Sequence, residues 1–154
     1  MPRVSIKMLG ELTVLHNGQP VPLPASKRTR ALLAYLARTA RPHRRDRLCE
    51  LFWETANDPR GALRWSLSKM RPLVNDQADQ RLVADRERVS LLTADIDIDI
   101  SNLARKAEEA DLSADELLAL CGQLQEPFLD GADLPDLDLF QLWLTGEREE
   151  SNRL

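Results

Sequence analysis

The charge of this 154-residue chain is divided along its length, and that division constrains its fold more than any other feature. Residues 1–93 carry 17 Lys and Arg against 9 Asp and Glu, whereas residues 94–154 carry 4 against 16. The net charge of −4 therefore conceals a basic stretch of +8 and an acidic stretch of −12. A single evenly mixed domain does not segregate its charges in this way, so the sequence predicts two units, 1–93 and 94–154. The two either attract each other or serve different partners, a polyanion suiting the first and repelling the second. Hydrophobic residues make up 43% of the chain, enough for a real core. No apolar run approaches the roughly 18 residues of a membrane span, and the first residues carry no secretory block. Cys49 and Cys121 stand far apart without metal-binding spacing, which points to a reducing compartment. The expectation is a cytoplasmic protein with no membrane partner.

The basic stretch opens with strand signals. Val4, Ile6 and Met8 alternate with polar residues, a second run follows over 12–16, and Asn17-Gly18 supplies a hairpin turn. Prolines at 20, 22 and 24 fit only a sheet edge. A small antiparallel sheet is expected here. Ser26 can cap a first helix that ends at Arg41-Pro42. A short helix is expected near 45–53. A third runs from about Arg60 to Arg71, with Asp58 as cap, Pro59 in the first turn and Pro72 ending or kinking it. Residues 82–84 and 89–92 then read as a second hairpin around Asp85-Arg86-Glu87-Arg88. The acidic stretch reads as mostly helical: about 101–110, a capped helix from Ser113, and a last one over 138–153 whose Leu139, Leu142 and Trp143 still need a partner surface. No stop signal follows that helix, so continuation beyond Leu154 is expected.

The third helix carries the functional signal. Leu63, Leu67, Met70 and Val74 form one apolar stripe, while Arg60, Arg64 and Arg71, then Ser68 and Trp65, then Lys69 occupy the remaining arc. No Asp or Glu lies between Pro59 and Asn75. Guanidinium forks for guanine edges or phosphates, joined by an aromatic for apolar base contact, are what a recognition helix requires. The plainer alternative is a solvated basic face with Trp65 packed on a neighbour.

Other chemistry finds little support. Asp95-x-Asp97-x-Asp99 lacks the glycine and glutamate of a calcium loop and reads as a short strand leading into a helix. His16, on a strand, and His43, in a loop, have no metal-ligand spacing, and the six glycines form no phosphate-cradling loop. Cys49 reads as semi-buried rather than nucleophilic, and Phe52, Trp53, Phe140 and Trp143 as core. No enzyme, cofactor or metal site is expected.

Several ordered segments resemble the Streptomyces antibiotic regulatory protein (SARP) family of transcriptional regulators. They are Met8-Leu9-Gly10-Glu11-Leu12-Thr13-Val14, Leu32-Leu33-Ala34-Tyr35-Leu36, Arg45-Asp46-Arg47-Leu48 with Leu51-Phe52-Trp53, and Ala62-Leu63-Arg64 with Leu67-Ser68-Lys69-Met70-Arg71. The acidic stretch is similar to the family's bacterial transcriptional activator domain at Val89-Ser90-Leu91, Asp97-Ile98-Asp99, Phe128-Leu129-Asp130-Gly131, Phe140 and Trp143-Leu144. The resemblance implies an α+β winged helix-turn-helix over 1–93, with an N-terminal antiparallel sheet and a C-terminal wing hairpin. An all-α, helical-repeat-like partial domain would follow over 94–154. It further implies an activator that binds direct repeats in double-stranded promoter DNA, as a head-to-tail homodimer, and recruits RNA polymerase. Arg64, Trp65 and Lys69 would lie nearest the bases, Arg60, Ser68 and Arg71 toward phosphates, and Arg86 or Arg88 on the wing. Three residues depart from the pattern. Arg44 replaces a serine cap and offers a cation at a helix start, Pro72 replaces a basic residue and shortens the third helix, and Gly61 lowers helix propensity by about 1 kcal/mol relative to Ala. The alternative function is an interaction adaptor whose winged helix no longer binds DNA.

Overall fold

A computed structural model describes residues 4–76, 79–108, 113–124 and 127–152. Among these residues the chain forms six helices and two sheets, a mixed α+β architecture. β1 (Val4–Lys7) and β2 (Thr13–His16) pair antiparallel, with Val4 opposite His16 and Ile6 opposite Val14. Alternation sends Val4, Ile6 and Val14 into the core. Asn17 and Gly18 both take positive φ, 53° and 82°, the backbone that a two-residue hairpin turn demands. β3 (Gln19–Pro20) is the outer strand, where a proline costs the sheet no hydrogen bond.

Helix α1 (Lys27–Thr39) starts where Ser26 Oγ accepts the Thr29 amide and ends on Ala40 in the left-handed region. β4 (His43–Arg44) leads directly into α2 (Arg45–Phe52), and α3 spans Pro59–Val74. β5 (Leu82–Ala84) and β6 (Arg88–Leu91) form the second hairpin. Its turn lacks glycine because Asp85 Oδ1 does the work of a backbone acceptor, taking the amides of Glu87 and Arg88 at 2.8 Å each. β4 joins this hairpin, giving the order β4-β6-β5, so His43 lies on a strand and not in a loop.

Of the two effects expected of Pro72, ending or kinking the third helix, the first is corrected. The helix runs two residues further, because its last turn buries Leu73 and Val74 and thereby offsets the hydrogen bond that proline cannot make. The first sheet is likewise not purely antiparallel. β7 (Ile96–Ile98) returns from the acidic stretch and pairs parallel with β1, Val4 facing Ile96 and Ile6 facing Ile98. The acidic stretch is therefore not all-α. Its first element completes the sheet opened by the first residues described.

Asp99, at the start of α4 (Asp99–Ala107), accepts the amides of Met8 and Leu9 at 2.9 and 3.0 Å, satisfying β1 where its ladder stops. α5 (Ala114–Leu124) begins with the expected cap, Ser113 Oγ accepting the Glu116 amide, while the Glu116 carboxylate takes the Ser113 hydroxyl. The 127–132 segment lies against the β1–β2 turn through the Leu129 amide to Met8 O and the Asp130 amide to Gly10 O. α6 (Asp138–Asn152) places Phe140 5.1 Å from Phe52 and Trp143 4.9 Å from Tyr35, ring centre to centre. Trp143 thus has its partner within this chain, and only Leu139 and Leu142 of the expected trio stay exposed. The charge changes sign near residue 93, but the apolar core runs on without a break from Val4 to Leu144.

Candidate nucleic-acid interface

The site is built from the N-terminus of α3. Asp58 caps it by accepting the Gly61 amide at 3.1 Å, with Pro59 in the first turn. Gly61 has a local reason: a Cβ there would stand 2.2 Å from Asp58 Oδ2, so only glycine leaves the capping carboxylate undisturbed. Leu63, Leu67, Met70 and Val74 are buried as the periodicity requires, and Ser66 and Leu73 join them. The Ser66 hydroxyl meets that of Thr29 at 2.8 Å inside the core, fixing the rotation of α3 against α1. The opposite face is thereby committed to solvent.

That face carries Arg60, Arg64, Trp65, Ser68, Lys69 and Arg71, all exposed. Trp65 is 50% exposed, so it does not pack on a neighbouring element. Its ring instead lies under Lys69, whose Nζ is 5.5 Å from the ring centre, a spacing at which a cation and the π face attract. Ser68 Oγ donates to Trp65 O at 2.6 Å, which leaves the hydroxyl oxygen as an acceptor. Arg64, Lys69 and Arg71 have no carboxylate partner among the described residues, whereas Arg60 donates to Asp46 at 2.6 Å.

The structure brings Arg60, Arg64 and Arg86 to the walls of one concavity of about 540 Å³ between the starts of α2 and α3 and the β5–β6 turn. Arg44 and Arg88 are register partners on adjacent strands beside it. Arg44 also stands at the N-cap of α2 without a side-chain cap bond. Trp65, Ser68, Lys69 and Arg71 lie outside the concavity, Arg71 two turns beyond Arg64. Sequence reasoning missed two of its residues, Arg45 and Asp85. Arg45 Nε donates to Asp85 O at 2.7 Å and ties the turn to α2. The signal was present in Arg44-Arg45 at a helix start and in an Asp opening a turn without glycine. The amides of Arg88 and Glu87 hold the Asp85 carboxyl below the usual carboxylate range, so it is an anion among cations.

Elsewhere, burial pushes the Cys49 thiol upward, away from the nucleophilic thiolate. Burial, aided by the Arg41 charge, lowers His43 to about 4, so it is neutral near pH 7 and hydrogen-bonded to Thr39. Among the described residues no cluster of three His, Cys, Asp or Glu has a metal-holding arrangement, and no helix is long and apolar enough to cross a membrane.

No protein-family model and no curated protein matches this chain. Among solved structures, Mycobacterium tuberculosis EmbR, determined in complex with a low-affinity phosphopeptide, is similar at 22% sequence identity with a TM-score of 0.62. The match covers 98% of this chain and 43% of the EmbR chain, so the present sequence spans less than half of that neighbour's length. The likeness is one of fold.

Proposed function

We propose that this chain is a sequence-specific DNA-binding regulator of transcription, an activator and not an enzyme, acting in the cytoplasm. In this reading residues 1–93 form a winged helix, α3 enters the major groove and the β5–β6 turn is the wing. Residues 94–154 begin a helical activator domain whose first strand is returned to the winged helix's sheet. The observation that carries the reading is the exposed face of α3, where unpaired cations and a half-exposed tryptophan occur with no acidic residue from Pro59 to Asn75. Arg64, Trp65 and Lys69 then face base edges. Arg44, Arg60, Ser68, Arg71, Arg86 and Arg88 serve the phosphates on either side. The resemblance to the SARP family and the fold shared with EmbR support the same reading. The family resemblance alone extends it to direct repeats in promoter DNA bound by a head-to-tail pair and to contact with RNA polymerase. The exposed Leu117, Leu118, Leu139 and Leu142 favour protein contacts for the acidic part.

The test is selection of bound duplexes from a random pool by the full chain, followed by fluorescence anisotropy across a salt series. A shared repeated sequence should emerge, with log K falling by about 0.9 per neutralised phosphate for each unit of log salt. Absence of binding at low salt, or affinity indifferent to salt, refutes the DNA reading and favours the adaptor.

A further inference from the structure

A second concavity shares no residue with the first. It opens where the β1–β2 turn, the chain after β3, the first half of α1 and the 129–132 turn meet, and its volume is about 160 Å³. Leu12, Leu23, Ala31, Ala34 and Leu129 give it a partly apolar floor, open to solvent.

Four charged side chains border this floor. Lys27 and Arg30 come from α1, one helical turn apart, and Glu11 and Asp130 from the two turns joined by the Asp130 amide to Gly10 O bond. Arg30 is half-buried, and among the described residues neither it nor Lys27 has a carboxylate partner. This contrasts with Arg28 and Arg38 of the same helix, which pair with Asp136 and Glu147 of the acidic stretch. The hollow therefore offers two cations from α1 and two carboxylates from the turns, and the cations, unpaired among the described residues, remain available to a ligand's carboxylate.

We infer that this cavity is a binding site for a small amphiphilic carboxylate, its apolar body on the Leu12–Leu23–Leu129 floor and its carboxylate on Arg30 and Lys27. The head group comes from one of two sources, a simple aromatic or branched acid or an α-amino acid. In the second, Glu11 and Asp130 accept the ammonium group. One wall belongs to the basic part of the chain and another to the acidic part, so an occupant spans the seam between them.

Two probes separate the sources, sodium benzoate and L-leucine, each titrated into the full chain while backbone amide NMR shifts of Glu11, Arg30 and Gly131 are followed. Benzyl alcohol lacks the charge and acetate lacks the body, and both serve as controls. Saturable shifts at these residues with either probe are expected, with benzyl alcohol and acetate at least tenfold weaker. Benzoate binding more tightly identifies a simple acid, and L-leucine binding more tightly identifies the zwitterion. Arg30→Gln should weaken binding at least tenfold. Ala132→Leu, which fills the mouth, should do the same with an unchanged circular dichroism spectrum. No shift with either probe at millimolar concentration, benzyl alcohol binding as well as the tighter of the two probes, or undiminished binding by Arg30→Gln overturns the assignment. None of these readouts involves DNA, so the outcome is independent of the function proposed above.

Discussion

Helices α3 and α6 are nearly the same length, 16 and 15 residues, and each sinks an apolar stripe into one shared core. They differ in what they do with their charges. α6 has one cation, Arg148, and uses it internally: its guanidinium donates to Phe128 O, Leu129 O and the Asp133 carboxylate, binding the helix to the turn beneath it. That contact holds the Asp133 carboxyl down at about 2. What α6 leaves outside carries no cation: it includes Asp138, Glu149 and Glu150, and Leu142 at 72% exposure. α3 does the reverse. It leaves Arg64, Lys69 and Arg71 unpaired among the described residues, and its own C-terminal carbonyl at Val74 is held by Arg81, a buried cation from outside the helix. A cation count alone does not locate a binding face. Cations that the fold has not already used are the informative ones.

The strongest way to break this comparison is to test whether the two helices share one core. Phe140→Ala should cost about 3–5 kcal/mol, because the side chain is fully buried against Phe52 and Trp143. The loss should show as a single shifted transition in urea monitored by fluorescence and by circular dichroism. Two separate transitions would show that α6 folds apart from α3. Leu142→Ala, on the exposed side of the same helix, should change stability by less than about 0.5 kcal/mol.

Acid provides a second test at the seam between the helices, where His43 stacks on Tyr35, the ring that also meets Trp143. Folding lowers His43 from 6.5 to about 4, so the unfolded chain binds the proton more readily between these values. Stability should therefore be flat above pH 6.5, fall by up to about 3 kcal/mol down to pH 4, and gain no further contribution from this group below that. His43→Gln should flatten the slope in that window, measured by urea titrations at successive pH values. The later loss from Asp133, between 3.8 and about 2, should persist in the variant.

The third expectation separates structural from functional cations. Arg64→Ala and Lys69→Ala should leave thermal stability nearly unchanged. Each should cost roughly 1–3 kcal/mol at particular positions of the selected DNA sequence. Arg44→Ala should weaken all sequences alike and reduce the salt slope by about 1. A uniform loss from all three would mean that α3 does not read bases.

The smallest effect concerns the start of α3. Gly61→Ala would ordinarily gain about 1 kcal/mol in helix propensity. Here it should gain almost nothing, because the new methyl displaces the Asp58 cap, itself worth about 1 kcal/mol. In an Asp58→Ala background the same change should recover its full benefit, a coupling that a double-mutant cycle in urea reads directly.

Local chemistry was the legible part of this molecule. Ser26, Asp58 and Ser113 cap where their side chains and spacing say they should, and Asn17-Gly18 turns as its conformational freedom requires. The α3 stripe was equally readable, since helical periodicity alone fixes which residues go inside. What escaped was long-range or depended on tertiary burial. β4 has two residues and no pattern of its own, existing only because β6 is there to receive it. The local cost of Pro72 predicts a stop or a kink, while the compensating burial of Leu73 and Val74 is a property of the assembled core. At the candidate site the cations of α3 were found from sequence. Arg45 and Asp85 were not, because the concavity they line is created by elements 40 residues apart.

The parallel pairing of β1 with β7 also sets a timetable. β1 and β2 are joined by a short turn and can meet within about 1–10 μs of leaving the ribosome. Ile96 lies 92 positions after its partner Val4, and at about 5–20 residues per second it is made roughly 5–18 s later. During synthesis one flank of β1 therefore waits with open amide and carbonyl groups, a template for any passing strand. The opposite flank of the sheet has Pro20 in its outer strand. The vulnerable moment of this protein is thus early and one-sided, and it ends only when the acidic stretch begins to emerge.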